Sequence, residues 1–433
     1  MIERRTALLP VRTIFNLFLI IASLSAVQAG TLTTIYSFQS SPNDGRQPVA
    51  GVTIGPGGVL YGTTEYGGSA GCGVNGCGTA FSLTPPASPG GAWTESVYLF
   101  TGTNGEYPLG GLTFGLDGLV LYGTAEYGGT VNCLGAVFEL RPPSASGSWV
   151  ETPLLSGCPQ ILNEPNNTPV IGPGGVIYIT TTLGPADGLA GTVTSLTPPA
   201  SPGDSWTETL VKGFGGTRGG GIYPFGIAIG SNGALYGVTG GGGSESGGSH
   251  GTVYELSPPT TPGAAWTETV LHRFDPNNGD GAQPLATLLI GSGGELFGTT
   301  ELGGSSNLGT VFSLVPPAAP GGGKYAVLHS FTGTSKSDGA GPEGPLLGVG
   351  GLLYGTTING GSSPCPSGCG TIFSLTPPAS AGGVWTESVV HSFNGLDGAH
   401  PRGSLTRGRD GTLYGTTTMG GHFNDGTVFA FTP

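Results

Sequence analysis

At 433 residues the chain is longer than one compact hydrophobic core supports, so it must divide into domains or repeat a unit. Its 87 glycines and 36 prolines would mark an aperiodic chain as low-complexity, yet charged residues make up only 9%, too few for a solvated disordered tail. A net charge of −13 repels phosphate backbones and excludes nucleic acid from the expected partners.

Residues 1–29 read as an export signal. Arg4, Arg5 and Arg12 precede an apolar run from Ile14 to Val27, and Val27-Gln28-Ala29 offers small residues for cleavage after Ala29. The run is shorter than the ~20 residues of a spanning helix. No membrane span is expected once it is removed, and the mature protein is expected to be periplasmic or secreted.

From residue 30 onward four words recur seven times. LYGTTEYGG at 60–68 returns around Tyr122, Tyr178, Tyr236, Phe297, Tyr354 and Tyr414, at intervals of 61, 56, 58, 61, 57 and 60 residues from Tyr61 onward. Before each lies a short apolar strand and a tight turn such as Asp117-Gly118 or Asn232-Gly233, the pairing of a two-residue hairpin. After each comes a glycine-rich loop and a third strand, GTAFSL from Gly78 through GTVFAF from Gly426, ended in six copies by Pro-Pro. A fourth strand follows, WTESVYLF at 93–100 and its relatives, with all five tryptophans at its start. Gly and Pro interrupt every window long enough for a helix, so the chain reads as all-β.

Four strand types in seven copies are what a seven-bladed β-propeller of four-stranded blades requires, as one domain over 30–433, expected to be a monomer. Thr31–Phe38 is a fourth strand at one end and the chain closes on a third. The first strand is therefore expected to complete the last blade and close the ring. An open β-solenoid, the other fold considered, explains neither the hairpin turns nor the permuted ends. Tyr61 beside Gly62 reads as a large side chain next to a gap that receives the adjoining sheet. Pro169 and Pro345 stand nearer their aromatic anchors than Pro48, Pro284 or Pro401, which marks the inner strands of repeats three and six as shortened.

L-Y-G-T-T, the following Gly-Gly and G-T-V-F resemble the Gloeo/Verruco (GloVer) tandem repeat of bacterial "choice-of-anchor" exported proteins, over nearly all of 31–433. The resemblance implies an exported, propeller-like protein and carries no reaction or ligand onto particular residues. Family members often end in a surface-sorting segment. This sequence stops at Phe431-Thr432-Pro433, so release is expected rather than anchoring.

Six cysteines in an exported chain read as three disulfides, Cys72–Cys77, Cys133–Cys158 and Cys365–Cys369, on the face that carries the loops between second and third strands. Glu65, Glu126 and Glu301 end second strands on that face, and His400 and His422 lie in loops of the seventh repeat; these five are the candidate ligand-binding residues. His272, His329 and His391 recur two residues before the closing Phe of the fourth strand, where Tyr36, Tyr98 and Lys212 stand in other copies, and read as rim positions. The loops 43–45, 277–281 and 337–339 lack the alternating oxygen ligands of a calcium loop and read as turns. No metal or cofactor is expected, and no catalytic motif is present. The expectation is a binding or interaction module for cell-surface carbohydrate or a protein partner. The alternative is a carbohydrate-active hydrolase or lyase using Glu65 and Glu126 as acid and base.

Overall fold

Each LYG word forms the second strand of an antiparallel sheet and each GTV word the third, in seven sheets that make an all-β, seven-bladed propeller. The computed structural model describes residues 30–433 apart from 40, 69, 130–133, 144–146, 156–160, 186–187, 202–203, 216–219, 244–248, 262, 318–322, 363 and 381. The expected leader, Cys133 and Cys158 lie outside the described residues. Blade one shows the pattern: Thr53–Ile54 pairs with Leu60–Thr64, that strand with Thr79–Thr84, and that one with Thr94–Leu99. In blade seven the order is Thr406–Arg407, Leu413–Thr417, Thr427–Thr432 and then Thr31–Ser37, with Thr31 opposite Thr432. Among the described residues no helix is long and apolar enough to cross a membrane.

The recurring words are partners across the seams between blades. The aromatic anchor of one blade meets the tryptophan of the next edge to face: Tyr61 with Trp149, Tyr122 with Trp206, Tyr178 with Trp266, Phe297 with Trp385 and Tyr414 with Trp93, ring centres 5.9–6.3 Å apart. Closing phenylalanines also meet across the seams, Phe100 tilted against Phe138 at 5.0 Å and Phe393 edge to face with Phe429 at 5.3 Å. Phe38, following the first strand, packs on Phe81 of blade one at 5.2 Å.

The gap beside each anchor is filled from within the blade, not by the adjoining sheet as the sequence suggested. A Cβ on Gly62 would stand 2.5 Å from Cζ of Phe81, its cross-strand partner, and Gly298, Gly355 and Gly415 meet Phe312, Phe373 and Phe429 in the same way. Blade three exchanges both members at once, with Ile179 opposite Thr194. Such a paired change keeps the volume of the site roughly constant.

A second cross-strand pair joins the last threonine of GTT to that of GTV. Thr64 and Thr79, Thr181 and Thr192, Thr357 and Thr371, and Thr417 and Thr427 are buried with hydroxyl oxygens 2.8–2.9 Å apart. Blade two replaces both, with Ala125 opposite Ala136. Removing one hydroxyl leaves the other without its buried partner, whereas removing both does not. Thr357→Ala is therefore expected to cost about 1–3 kcal/mol, and adding Thr371→Ala to cost less than the sum of the two singles. Chemical denaturation of the four proteins checks this; strict additivity would contradict it.

In all seven blades the innermost segment carries a left-handed residue directly before a proline. Gln47, Tyr107, Glu164, Tyr223, Gln283, Gly341 and His400 have φ of 54–64°. Each donates its N–H across the seam, as Tyr107 to Cys77 O at 3.0 Å and His400 to Cys369 O at 2.8 Å. The proline that follows rests on the glycine opening the preceding blade's third strand, Pro108 on Gly78 and Pro401 on Gly370. Pro165 and Pro342 hold this place in blades three and six, which corrects the shortening inferred from Pro169 and Pro345. Blade three still differs, since Asn163–Pro165 and Val170–Ile171 both pair with Ile177–Leu183.

Candidate functional site

The residues after these prolines meet at the axis. Val49, Leu109, Asn166, Phe225, Leu285, Glu343 and Arg402, one from each blade, line a central cavity of about 400 Å³. Glu301 also reaches it. Arg402 Nε lies 3.1 Å from Glu343 Oε2, and burial pushes the Glu343 carboxyl up, opposed by Arg402 and assisted by Glu301. Glu301 borders a second hollow of about 370 Å³, with Leu302, Leu308, Ile358 and Pro366. The channel thus carries a compensated ion pair with one further carboxylate beside it.

Across the ring, blades one to three hold a different arrangement. Glu65 and Glu126 end second strands and donate their N–H groups to the carbonyls of Gln47 and Tyr107, both at 3.1 Å. That bond fixes each glutamate next to the left-handed residue of its own blade. Tyr107 stands edge to face between Tyr66 at 5.3 Å and Tyr127 at 6.1 Å. The Tyr127 hydroxyl donates to Glu164 Oε1 at 3.4 Å, and the Thr182 hydroxyl donates to Glu164 Oε2 at 3.3 Å. Burial raises the Glu126 carboxyl, with Glu164 and Glu65 adding to the rise and a Tyr127 hydrogen bond opposing it. The Tyr66 hydroxyl is pushed up to about 12, first by its hydrogen bond to Glu65. Three tyrosines and the carboxylates of Glu65, Glu106, Glu126 and Glu164, all half-buried, therefore form one arc on the loop face.

The five residues singled out from sequence lie in separate places. Glu65 and Glu126 belong to the arc and Glu301 to the channel. His400 turns its Nδ1 to Ile358 O at 2.7 Å. His422 is exposed at the outer end of blade seven, where its N–H approaches the Ser37 hydroxyl at 3.5 Å and its ring meets Phe423. Glu164, Tyr107, Glu343 and Arg402 escaped the sequence reading. The recurring proline before each aromatic anchor is the signal that would have found them, since they flank it.

Cys72–Cys77 and Cys365–Cys369 are disulfide-bonded, with Cα atoms 5.0 and 5.3 Å apart, on the loop face of blades one and six. The three recurring histidines face acids of the following loop: His272 Nε2 to Asp280 at 2.7 Å, His329 to Asp338 at 3.2 Å and His391 to Asp397 at 3.0 Å. Asp44, Asp280 and Asp338 are buried, so all three loops read as turns also supply carboxylates to the seams.

Between blades seven and one the same seam holds Tyr36, whose hydroxyl donates to Glu95 Oε2 at 2.6 Å and lies 3.1 Å from Asp44 Oδ2. Burial pushes the Glu95 carboxyl up to about 7, against the pull of the Tyr36 hydrogen bond. A carboxyl raised in the folded state binds its proton more tightly there than in the unfolded chain. Its effect therefore favours folding below the unfolded value near 4.5 and is lost as pH rises through 7. Stability is expected to fall over that window in the wild type and to fall less steeply in Glu95→Gln, measured as denaturation midpoints from pH 4.5 to 8. Identical slopes would contradict the assignment.

With this geometry in view, the profile of the Gloeobacter/Verrucomicrobia repeat matches residues 249–433, from the third strand of blade four to the end. No curated protein matches the chain. Among solved structures, the extracellular domain of a proposed one-component system from B. thetaiotaomicron is similar at 12% identity and TM-score 0.51, over 92% of this chain and 42% of that one. A protein of unknown function from Dyadobacter fermentans aligns at 13% identity and TM-score 0.41, over 92% of this chain and 98% of that one. PorZ, a surface component of the type-IX secretion system of Porphyromonas gingivalis, aligns at 12% identity and TM-score 0.43, over 78% and 43%. At such identities the first of these likenesses speaks to the fold.

Proposed function

We propose that this protein is an exported propeller that binds a neutral or amine-bearing carbohydrate on its loop face, across blades one to three. The observation that carries the reading is the arc of Tyr66, Tyr107 and Tyr127 bordered by Glu65, Glu106, Glu126 and Glu164. Tyrosine rings offer flat apolar surface for the CH face of a sugar ring together with a polar hydroxyl. Ionised carboxylates only accept hydrogen bonds, so the ligand must bring donors, as sugar hydroxyls or ammonium groups do, and anionic sugars are repelled. The leader-like segment at 1–29 and the two disulfides support an oxidising compartment outside the cytoplasm.

A glycan array carrying neutral, amine-bearing and uronic or sialylated structures tests this. Binding is expected among the first two classes alone. Retention of only acidic glycans, or of none, would sink the reading. Hydrolysis is the second reading, favoured by the raised Glu126 carboxyl beside Glu65. Release of reducing ends from a bound glycan, lost in Glu126→Gln, would turn the binding module into an enzyme.

A further inference from the structure

The outer rim repeats one construction at its seams: a side chain two residues before the closing Phe of one blade, an acid in the following loop, and the residue two beyond the tryptophan position of the next blade. Tyr36, Asp44 and Glu95 fill it between blades seven and one. Between blades four and five the set is His272, Asp280 and Tyr325, whose ring stacks on the imidazole at 3.8 Å. Between six and seven it is His391 and Asp397, with Leu32 in the third place. The seam between blades five and six alone among these joins a histidine to two carboxylates, as His329, Asp338 and Glu387.

We propose that His329 Nε2, Asp338 and Glu387 bind a divalent cation of the zinc type, with water completing the coordination. One ligand atom from each residue lies within 4.8 Å of the other two. They come from the strand Lys324–Ser330, the loop that follows it and the strand Thr386–Ser392, so the ion would pin two blades together. His329 Nε2 stands 3.2 Å from Asp338 Oδ2, longer than the 2.7 Å hydrogen bond of His272 to Asp280. Two ligands each about 2.0–2.2 Å from one tetrahedral zinc are separated by roughly 3.3–3.5 Å, so this spacing needs little adjustment.

Charge points the same way. Two carboxylates share one imidazole at a largely buried seam, and Glu387 Oε1 is buried with no hydrogen-bond partner. A dication held by two carboxylates and a neutral histidine leaves the seam uncharged and gives that oxygen its partner. Asp338 is held for the task, since its Oδ2 accepts from the N–H and hydroxyl of Thr332 at 2.8 and 2.9 Å and its Oδ1 accepts from Gly339 N at 2.6 Å. His329 keeps 21% of its side chain exposed, which gives the ion a path from solvent. A nitrogen ligand favours zinc over calcium, which takes oxygen. The seam is remote from the tyrosine–carboxylate arc, so the two readings stand or fall separately.

Chelator-stripped full-length protein titrated with Zn²⁺, followed by calorimetry and native mass spectrometry, tests the site. One ion per chain is expected, with affinity weakened at least about tenfold in His329→Gln and in Glu387→Gln and unchanged in His272→Gln and His391→Gln. Should His329→Gln fail to fold, Glu387→Gln decides alone. Absence of stoichiometric uptake by the wild type, uptake that survives in Glu387→Gln, or equal loss in the His272 and His391 variants would overturn the proposal.

Discussion

Gly355→Ala is expected to destabilise the protein by about 2–3 kcal/mol or more. The new Cβ would sit 2.5 Å from Cζ of Phe373 and 3.0 Å from Cδ2 of Leu346. Phe373 cannot withdraw, because it is fully buried and its ring is held against Phe331 of the neighbouring blade at 5.1 Å. Relief must come from shortening the facing side chain. Phe373→Leu in the Gly355→Ala background is accordingly expected to regain part of the loss, whereas the same change alone should cost stability by leaving a cavity. Denaturation midpoints of the four proteins decide the matter, and a Gly355→Ala protein as stable as its parent would mean that the blade is not packed as described.

Removal of residues 30–38 is expected to have the other large effect. The first strand pairs with Thr427–Thr432 from Thr31 opposite Thr432 to Ser37 opposite Thr427, and Phe38 covers Phe81 at the seam with blade one. Without it the last blade presents a bare strand edge and the seam loses a fully buried ring. The truncated protein should aggregate or unfold at much lower denaturant, in a broadened transition. Unfolding that matches the full chain in midpoint and steepness would show that the ring does not depend on this strand.

The strands were legible because they repeat. LYGTT and GTVF keep their identity in most copies, and where they depart, as Ile179 with Thr194 or Ala125 with Ala136, the departures are paired across the sheet. Seam contacts were not legible, because Tyr61 and Trp149 belong to different words in different copies and no local spacing connects them. The site was hidden for a physical reason. Before each inner-strand proline the fold demands a left-handed backbone and an N–H for the neighbouring blade, not a particular side chain. Gln47, Tyr107, Glu164, Tyr223, Gln283, Gly341 and His400 meet that demand with unrelated chemistry. The channel-lining residues that follow are equally mixed. Glu65 and Glu126 could be read as candidates because they end a recognisable word, whereas Glu164 follows no such word and joins them only through the ring.

Calorimetric titration of the best-binding array glycan into three proteins tests the placement of the binding surface most directly. Tyr107→Asn removes the central ring of the arc while keeping a residue that tolerates the left-handed backbone, and Asp117→Asn alters a hairpin turn on the opposite face. Affinity is expected to fall at least about tenfold in Tyr107→Asn and to stay at the wild-type value in Asp117→Asn. Wild-type affinity in Tyr107→Asn together with loss in Asp117→Asn would place the binding surface on the other face and contradict the account.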